Sequence, residues 1–253
     1  MLRAVLLALS VALAGCMARI PLPAPVAEQP APDRPILWVL GLGLYDESWS
    51  EGDVAAAATR LAERAPGFQV MPMVLSNGSQ HKFAPPDRAA VDAATAEIAR
   101  RAGPRDIVLV YVSTHGAPGL LAREADRQEQ EPAGVAEVAE WLAPLGRRPT
   151  VLVLSACFSG SFIPALRAEN RIIFAAARAD RTSFGCQAGA EHTVFGQAVL
   201  DAFARPGRSL REIVGQVRGE VAAAERQLRV SQPSEPQLSV GAGMRTLYDA
   251  PLF

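Results

Sequence analysis

From residue 36 onward, short apolar runs alternate with stretches whose apolar residues recur every three or four positions. The runs fall at 36–40, 70–75, 107–112, 151–154 and 172–177. They are apolar on both faces and rich in β-branched residues, the pattern of strands in a parallel sheet covered by helices on both sides. The second run contains Pro72, which removes a ladder hydrogen bond and predicts an edge or irregular strand. Between the runs, 53–64 reads as an Ala-rich helix, and Asp87 is placed to cap a helix with the stripe Val91, Ala94, Thr95, Ile98 and Ala102. Val135, Val138, Leu142 and Leu145 mark a third helix over 134–145. Ser209 and Glu212 form a capping box for a fourth, with Leu210, Ile213, Val214, Val217, Val221 and Leu228 on one face. Such alternation predicts an α/β sandwich with right-handed crossovers. Residues 116–132, ending in "LAREADRQEQEP", read as a solvated surface loop, and there is no internal repeat.

The first 35 residues follow a different pattern. Arg3 precedes an apolar stretch, 4–13, that is too short to span a bilayer. Leu13-Ala14-Gly15-Cys16 then resembles a bacterial lipoprotein box. Residues 1–15 are therefore expected to be a lipoprotein signal peptide and Cys16 the lipidated residue; an ordinary signal peptide with an incidental cysteine is the alternative. The six prolines of "MARIPLPAPVAEQPAPDRP" make 16–35 an extended tether, leaving 36–253 as one folded domain. The expected location is the cell envelope, on the periplasmic side of the outer membrane. Net charge is −1, so nothing marks nucleic acid as a partner, and the membrane is expected to be met through the lipid on Cys16.

Two strand ends carry reactive side chains. The strand 107–112 runs into Ser113-Thr114-His115-Gly116, and 151–154 into Ser155-Ala156-Cys157. Ligand sites in open α/β sheets gather beyond the carboxyl ends of strands, and strands joined by one crossover are often neighbours. An imidazole beside a thiol can take its proton and later protonate a leaving amine. The amides of Gly116 and Cys157 are natural donors to an oxyanion. A helix starting at Ser159 would add its N-terminal field. No zinc spacing, dinucleotide loop, G-x-S-x-G elbow or CxxC pair occurs, so neither metal nor cofactor is implied. For Cys157 the competing reading is a small buried residue, or a disulfide with Cys186. For His115 it is a structural turn residue. His81 and His192 read as loop residues, and Asn77 either orients His115 or forms a turn.

"VYVSTHG", "LSACFSGSFIPAL", "IIFAAARADRTSFGC" and "TVFGQAVLDAF", in this order, resemble the legumain (asparaginyl endopeptidase, haemoglobinase) family of cysteine peptidases, most closely its bacterial, envelope-associated members. "SQPSEPQLSVG" resembles the end of those domains. The resemblance covers about residues 36 to 245. It implies a caspase-like three-layer α/β/α sandwich with a mostly parallel central sheet, no metal, and peptide or protein substrates. It also implies a Cys157–His115 dyad with Gly116 in the oxyanion hole. Two departures stand out. Legumains often carry an acidic residue after the catalytic cysteine, where this chain has Phe158. They also use an arginine shortly after the first strand, and "GLGLYDESWSEGD" has none. An asparagine preference is therefore not carried over. Phe158, Asp180, Arg181 and Ser183 are the candidates for substrate binding.

The function expected is a lipid-anchored cysteine endopeptidase acting through an acyl-enzyme. The alternatives are a transpeptidase or ligase using the same dyad, a non-catalytic peptide- or partner-binding envelope lipoprotein, and a latent zymogen covered by 117–133 or the tail after Arg229. Lipidation predicts that the full chain expressed in a bacterial host incorporates labelled palmitate and partitions into detergent. Cys16→Ser should do neither.

Overall fold

The computed structural model describes residues 34–78 and 82–251. The expected signal peptide, Cys16, most of the tether and His81 lie outside the described residues. Along the chain run β1 (Ile36–Gly43), α1 (Ser48–Arg64), β2 (Gln69–Ser76), α2 (Arg88–Arg101), β3 (Ile107–Ser113), β4 (Gly116–Ala117), β5 (Leu120–Ala125), β6 (Gln128–Gly134) and α3 (Val135–Leu142). There follow β7 (Thr150–Ser155), α4 (Ile163–Leu166), β8 (Arg171–Ala175), α5 (Val194–Phe203), α6 (Leu210–Gln227), β9 (Gln237–Val240) and α7 (Arg245–Asp249). The main sheet has six strands in the order β2-β1-β3-β7-β8-β9. All its pairings are parallel except β8 with β9.

Successive residues of the central strands serve opposite faces, so both faces are apolar. Leu109, Tyr111, Val151 and Val153 pack with α1, α5, α6 and α7. Val108, Val110, Val112, Leu152 and Leu154 pack with α2, α3 and α4. The result is the expected three-layer sandwich. Pro72 sits on β2, at the sheet edge, where its missing N–H costs no ladder bond to a further strand. The expected caps form: Asp87 accepts from the amide of Ala90, and Ser209 and Glu212 close a reciprocal box.

Two expectations need correction. Residues 116–134 form an antiparallel three-stranded sheet, β4-β5-β6, rather than a solvated loop. Its two-residue turn, Asp126-Arg127, has both residues at positive φ, and the amide of Arg127 is held by Asp46. Its base is fixed by bonds from the amides of Ala122 to His115 and of Glu124 to Leu44. The crossover from β3 to β7 is thus a hairpin sheet and a helix, not a helix alone. Second, the helix expected from Ser159 is a 3₁₀ turn, Ser159–Phe162, followed by the four-residue α4. Ser159 and Gly160 are engaged instead by Ala177, whose amide bonds the Ser159 hydroxyl and whose carbonyl accepts from Gly160. The segment "SQPSEPQLSVG" adds the antiparallel edge strand β9 to a sheet that is otherwise parallel, as the mostly parallel reading expected.

The capping box of α6 lies on the opposite side of that helix's length from its Arg226 end and can be removed without touching the strand ends. Ser209→Ala should lower stability by about 1 kcal/mol, read from the urea midpoint.

Candidate active site

β3 and β7 are adjacent, in register up to the rung that pairs Ser113 with Ser155. The amide of Thr114 still bonds the Ser155 carbonyl at 3.1 Å. His115 and Cys157 each lie two residues past this last rung, at the same carboxyl edge of the sheet. Gly116 packs on the turn carrying the cysteine: a Cβ at 116 would overlap the carbonyl oxygen of Cys157. Only glycine lets the two turns close this tightly.

The two side chains are buttressed from opposite sides. The His115 ring meets Tyr45 edge-on at a centroid distance of 4.5 Å and 87°, and Trp49 at 5.0 Å and 70°. Tyr45 and Trp49 are themselves stacked, 6.3 Å apart and 18° from parallel. Burial in this setting lowers the imidazole's proton affinity below the ordinary histidine value, and the carboxylates of Glu47 and Glu124 oppose that through space.

The Cys157 sulfur turns towards the loop after β8. It accepts the amide of Ser183 at 3.3 Å, with the Ser183 hydroxyl and carbonyl each at 3.7 Å. A backbone N–H aimed at sulfur is a donor for the charge that a nucleophilic thiolate carries. Both Cys157 and Cys186 are free thiols. Burial, and then the neighbouring Cys157, push the Cys186 thiol up, which makes it less reactive than an ordinary thiol.

Phe158 takes the left-handed backbone conformation, with φ of 56°, which makes the chain turn sharply just after the sulfur. A bulky residue rarely sits there, and three bonds hold it, including the Ser161 amide on its carbonyl at 2.9 Å. Its amide donates to the Arg181 carbonyl at 2.7 Å, and its carbonyl accepts from the Ser161 hydroxyl at 2.6 Å. That hydroxyl in turn accepts from the amide of Gly119, tying the hairpin sheet to the cysteine turn. Of the four candidates for substrate binding, Ser183 touches the sulfur and Arg181 holds Phe158 through its backbone. Asp180 is exposed and engaged by Arg178 and Arg181, and its hydrogen bonds to Arg178 hold its carboxyl down at about 2. Asn77 bonds the carbonyl of Leu44 and so braces the turn after β1 rather than His115.

A sequence model of the peptidase C13 family matches residues 87–240, a span that includes His115, Gly116 and Cys157. The chain belongs to the peptidase C13 family. It is a cysteine-type endopeptidase family, as the motifs had suggested. No curated protein matches this C13 peptidase in sequence. Its fold is similar to that of caspase-1 from Spodoptera frugiperda, with a TM-score of 0.52 at 16% identity, over 82% of this chain and 85% of that one. The central sheet and its helix layers are thus caspase-like.

The C13 peptidase also contains a buried carboxylate that the sequence pattern did not single out. Asp53 of α1 has no exposed surface. It accepts the hydroxyls of Ser113 at 2.9 Å and Thr193 at 2.8 Å, and the amide of Thr193 at 3.2 Å. The Ser155 hydroxyl lies at 3.4 Å and His192 Nδ1 at 3.2 Å. His192, read as a loop residue, therefore stands against the carboxylate. Gly196 makes room for it, since a Cβ there would overlap the Asp53 side chain. The signal was present: Asp53 shares one helix stripe with Ala57 and Leu61, both buried. Removing the carboxylate leaves several buried donors unpaired. Asp53→Ala should cost about 3 kcal/mol or more, read from urea unfolding, and lower peptidase activity as the strand ends loosen. An unchanged midpoint would contradict the role given to Asp53.

Proposed function

We propose that this C13 peptidase cleaves peptide bonds through a Cys157–His115 dyad, at the cell envelope, where a lipid on Cys16 tethers it to the periplasmic side of the outer membrane. Cys157 attacks the substrate carbonyl and forms an acyl-enzyme. His115 in its neutral form takes the thiol proton and passes it to the leaving amine. The amides of Gly116 and Cys157 receive the oxyanion, and water resolves the acyl-enzyme. Phe158, Arg181 and Ser183 border the bound peptide, with Asp180 at the rim. The observation that carries this reading is the common placement of imidazole and sulfur, each two residues beyond the rung pairing Ser113 with Ser155. The backbone contact of Gly116 on Cys157 adds support.

The sulfur and the imidazole are held by different groups, Ser183 on one side and Tyr45 with Trp49 on the other. The proposed peptide bond enters between them. Because burial disfavours the imidazolium, His115 stays neutral, and able to accept a proton, further into acid than an ordinary histidine.

A diverse peptide library analysed by mass spectrometry tests the proposal. Cleavage should fall by at least about 10³-fold in Cys157→Ala and in His115→Ala. The acid limb of kcat/KM should lie below pH 6.5, the ordinary histidine value. Products joined to an added amine, rather than to water, would assign the protein to transpeptidation instead. Iodoacetamide labelling of Cys157 that is indifferent to His115→Ala, with no cleaved peptide, would favour a binding module.

A further inference from the structure

The turn between β1 and α1 holds His115 without a hydrogen bond to it. Its own anchoring is extensive. The amide of Leu44 and the hydroxyl of Ser50 both bond the Ser113 carbonyl, at 3.1 and 2.7 Å. The Leu44 carbonyl accepts from the Asn77 side chain at 3.2 Å and from the amide of Glu124 at 3.0 Å. The amide of Tyr45 bonds the Ser50 hydroxyl at 3.3 Å. Trp49 is fully buried. The two rings are thus fixed from β3, β5, α1 and the residue that follows β2 before they meet the imidazole.

We propose that Tyr45 and Trp49 are positioning residues for His115: two stacked rings that clamp the imidazole edge-on and so replace the carboxylate or amide that orients a catalytic histidine elsewhere. The inference rests on the function proposed above. Edge-to-face contact of this kind is directional, because the positive edge of one ring prefers the negative face of another. Two such faces on neighbouring elements restrict rotation about the histidine side chain. The same rings exclude water, which is why burial heads the causes that lower the imidazole's proton affinity. The titratable groups facing the ring are Tyr45 and Glu47 from the turn and Glu124 from β5. From α1 it meets uncharged Trp49. Cys157 belongs to the turn packed on Gly116. Tyr45 bears on both effects. Its hydroxyl, pushed up to about 12 by burial first and then by the Glu124 carboxylate, stays protonated.

The test compares Tyr45→Ala, Tyr45→Phe and Trp49→Phe in the full chain. Tyr45→Ala opens one side of the clamp. It should lower kcat/KM about tenfold at its plateau and move the acid limb to higher pH, as water returns to the imidazole. Trp49→Phe and Tyr45→Phe keep an aromatic face and should recover most of both effects. A purely structural role for Tyr45 would lower activity without moving the limb. The second readout needs no activity: NMR titration of His115 in a Cys157→Ala background, with the resonance assigned by its loss in His115→Ala. Tyr45→Ala should raise that midpoint and Tyr45→Phe should not. If Tyr45→Ala fails to fold, Tyr45→Leu replaces it. A limb and a midpoint unchanged in Tyr45→Ala, with kcat/KM within twofold of wild type, would overturn the clamp. A shifted NMR midpoint in a protein that cleaves no peptide would instead overturn the proposed function and leave the clamp standing.

Discussion

A carboxylate with no water around it must find its hydrogen bonds inside the protein, and Asp53 finds them on three separate elements. Ser113 ends β3, Ser155 ends β7 and Thr193 caps α5. Leaving such a group unpaired is costly, so these elements are stable only when all of them reach it together. The last paired rung of the two central strands is therefore locked to a helix N-terminus and to α1. His115 and Cys157 follow that rung by two residues each. Their placement is inherited from it, and they need no direct bond to one another to stay in position.

The strand order explains why the two side chains are supported from opposite sides. β3 has β1 as its other neighbour, and β7 has β8. The turn after β1 and the first turn of α1 accordingly supply the rings that hold His115, and the loop after β8 supplies Ser183 to the sulfur. The hairpin sheet β4-β5-β6 completes the frame. It reaches the turn after β1 through Glu124 and the cysteine turn through Gly119 and Ser161. In the proposed function, the seam between β3 and β7 is where the scissile bond is presented.

Several features were legible in the residues because they depend on local chemistry. Runs apolar on both faces marked the buried strands. Pro72 marked an edge, and Asp87, Ser209 and Glu212 marked helix starts. The hairpin sheet was not legible. β5 and β6 are short and charged, without alternation, and their turn is Asp126-Arg127 rather than the Asn-Gly or Asp-Gly pair that signals such a loop. Anchors supplied by Asp46 and Leu44, far back along the chain, and by His115, just before β4, hold it in place. The helix expected after Cys157 also failed, because Ser159 and Gly160 bond Ala177, just beyond the next strand, instead of opening a helix.

The sequence by itself determined the α/β class, the order of the five central strands it marked and of the capped helices between them, and the reactive residues at two strand ends, since periodicity, capping and strand termination act over a few neighbouring positions. Only the tertiary structure decided that Asp53 is a buried hub, that Tyr45 and Trp49 enclose the imidazole, and that Ser183 faces the sulfur. Each of those contacts joins residues dozens of positions or more apart, except for the pair of Ser183 with Cys157, which spans one strand crossover. Contacts of this kind exist only once the sheet has set which strands are neighbours.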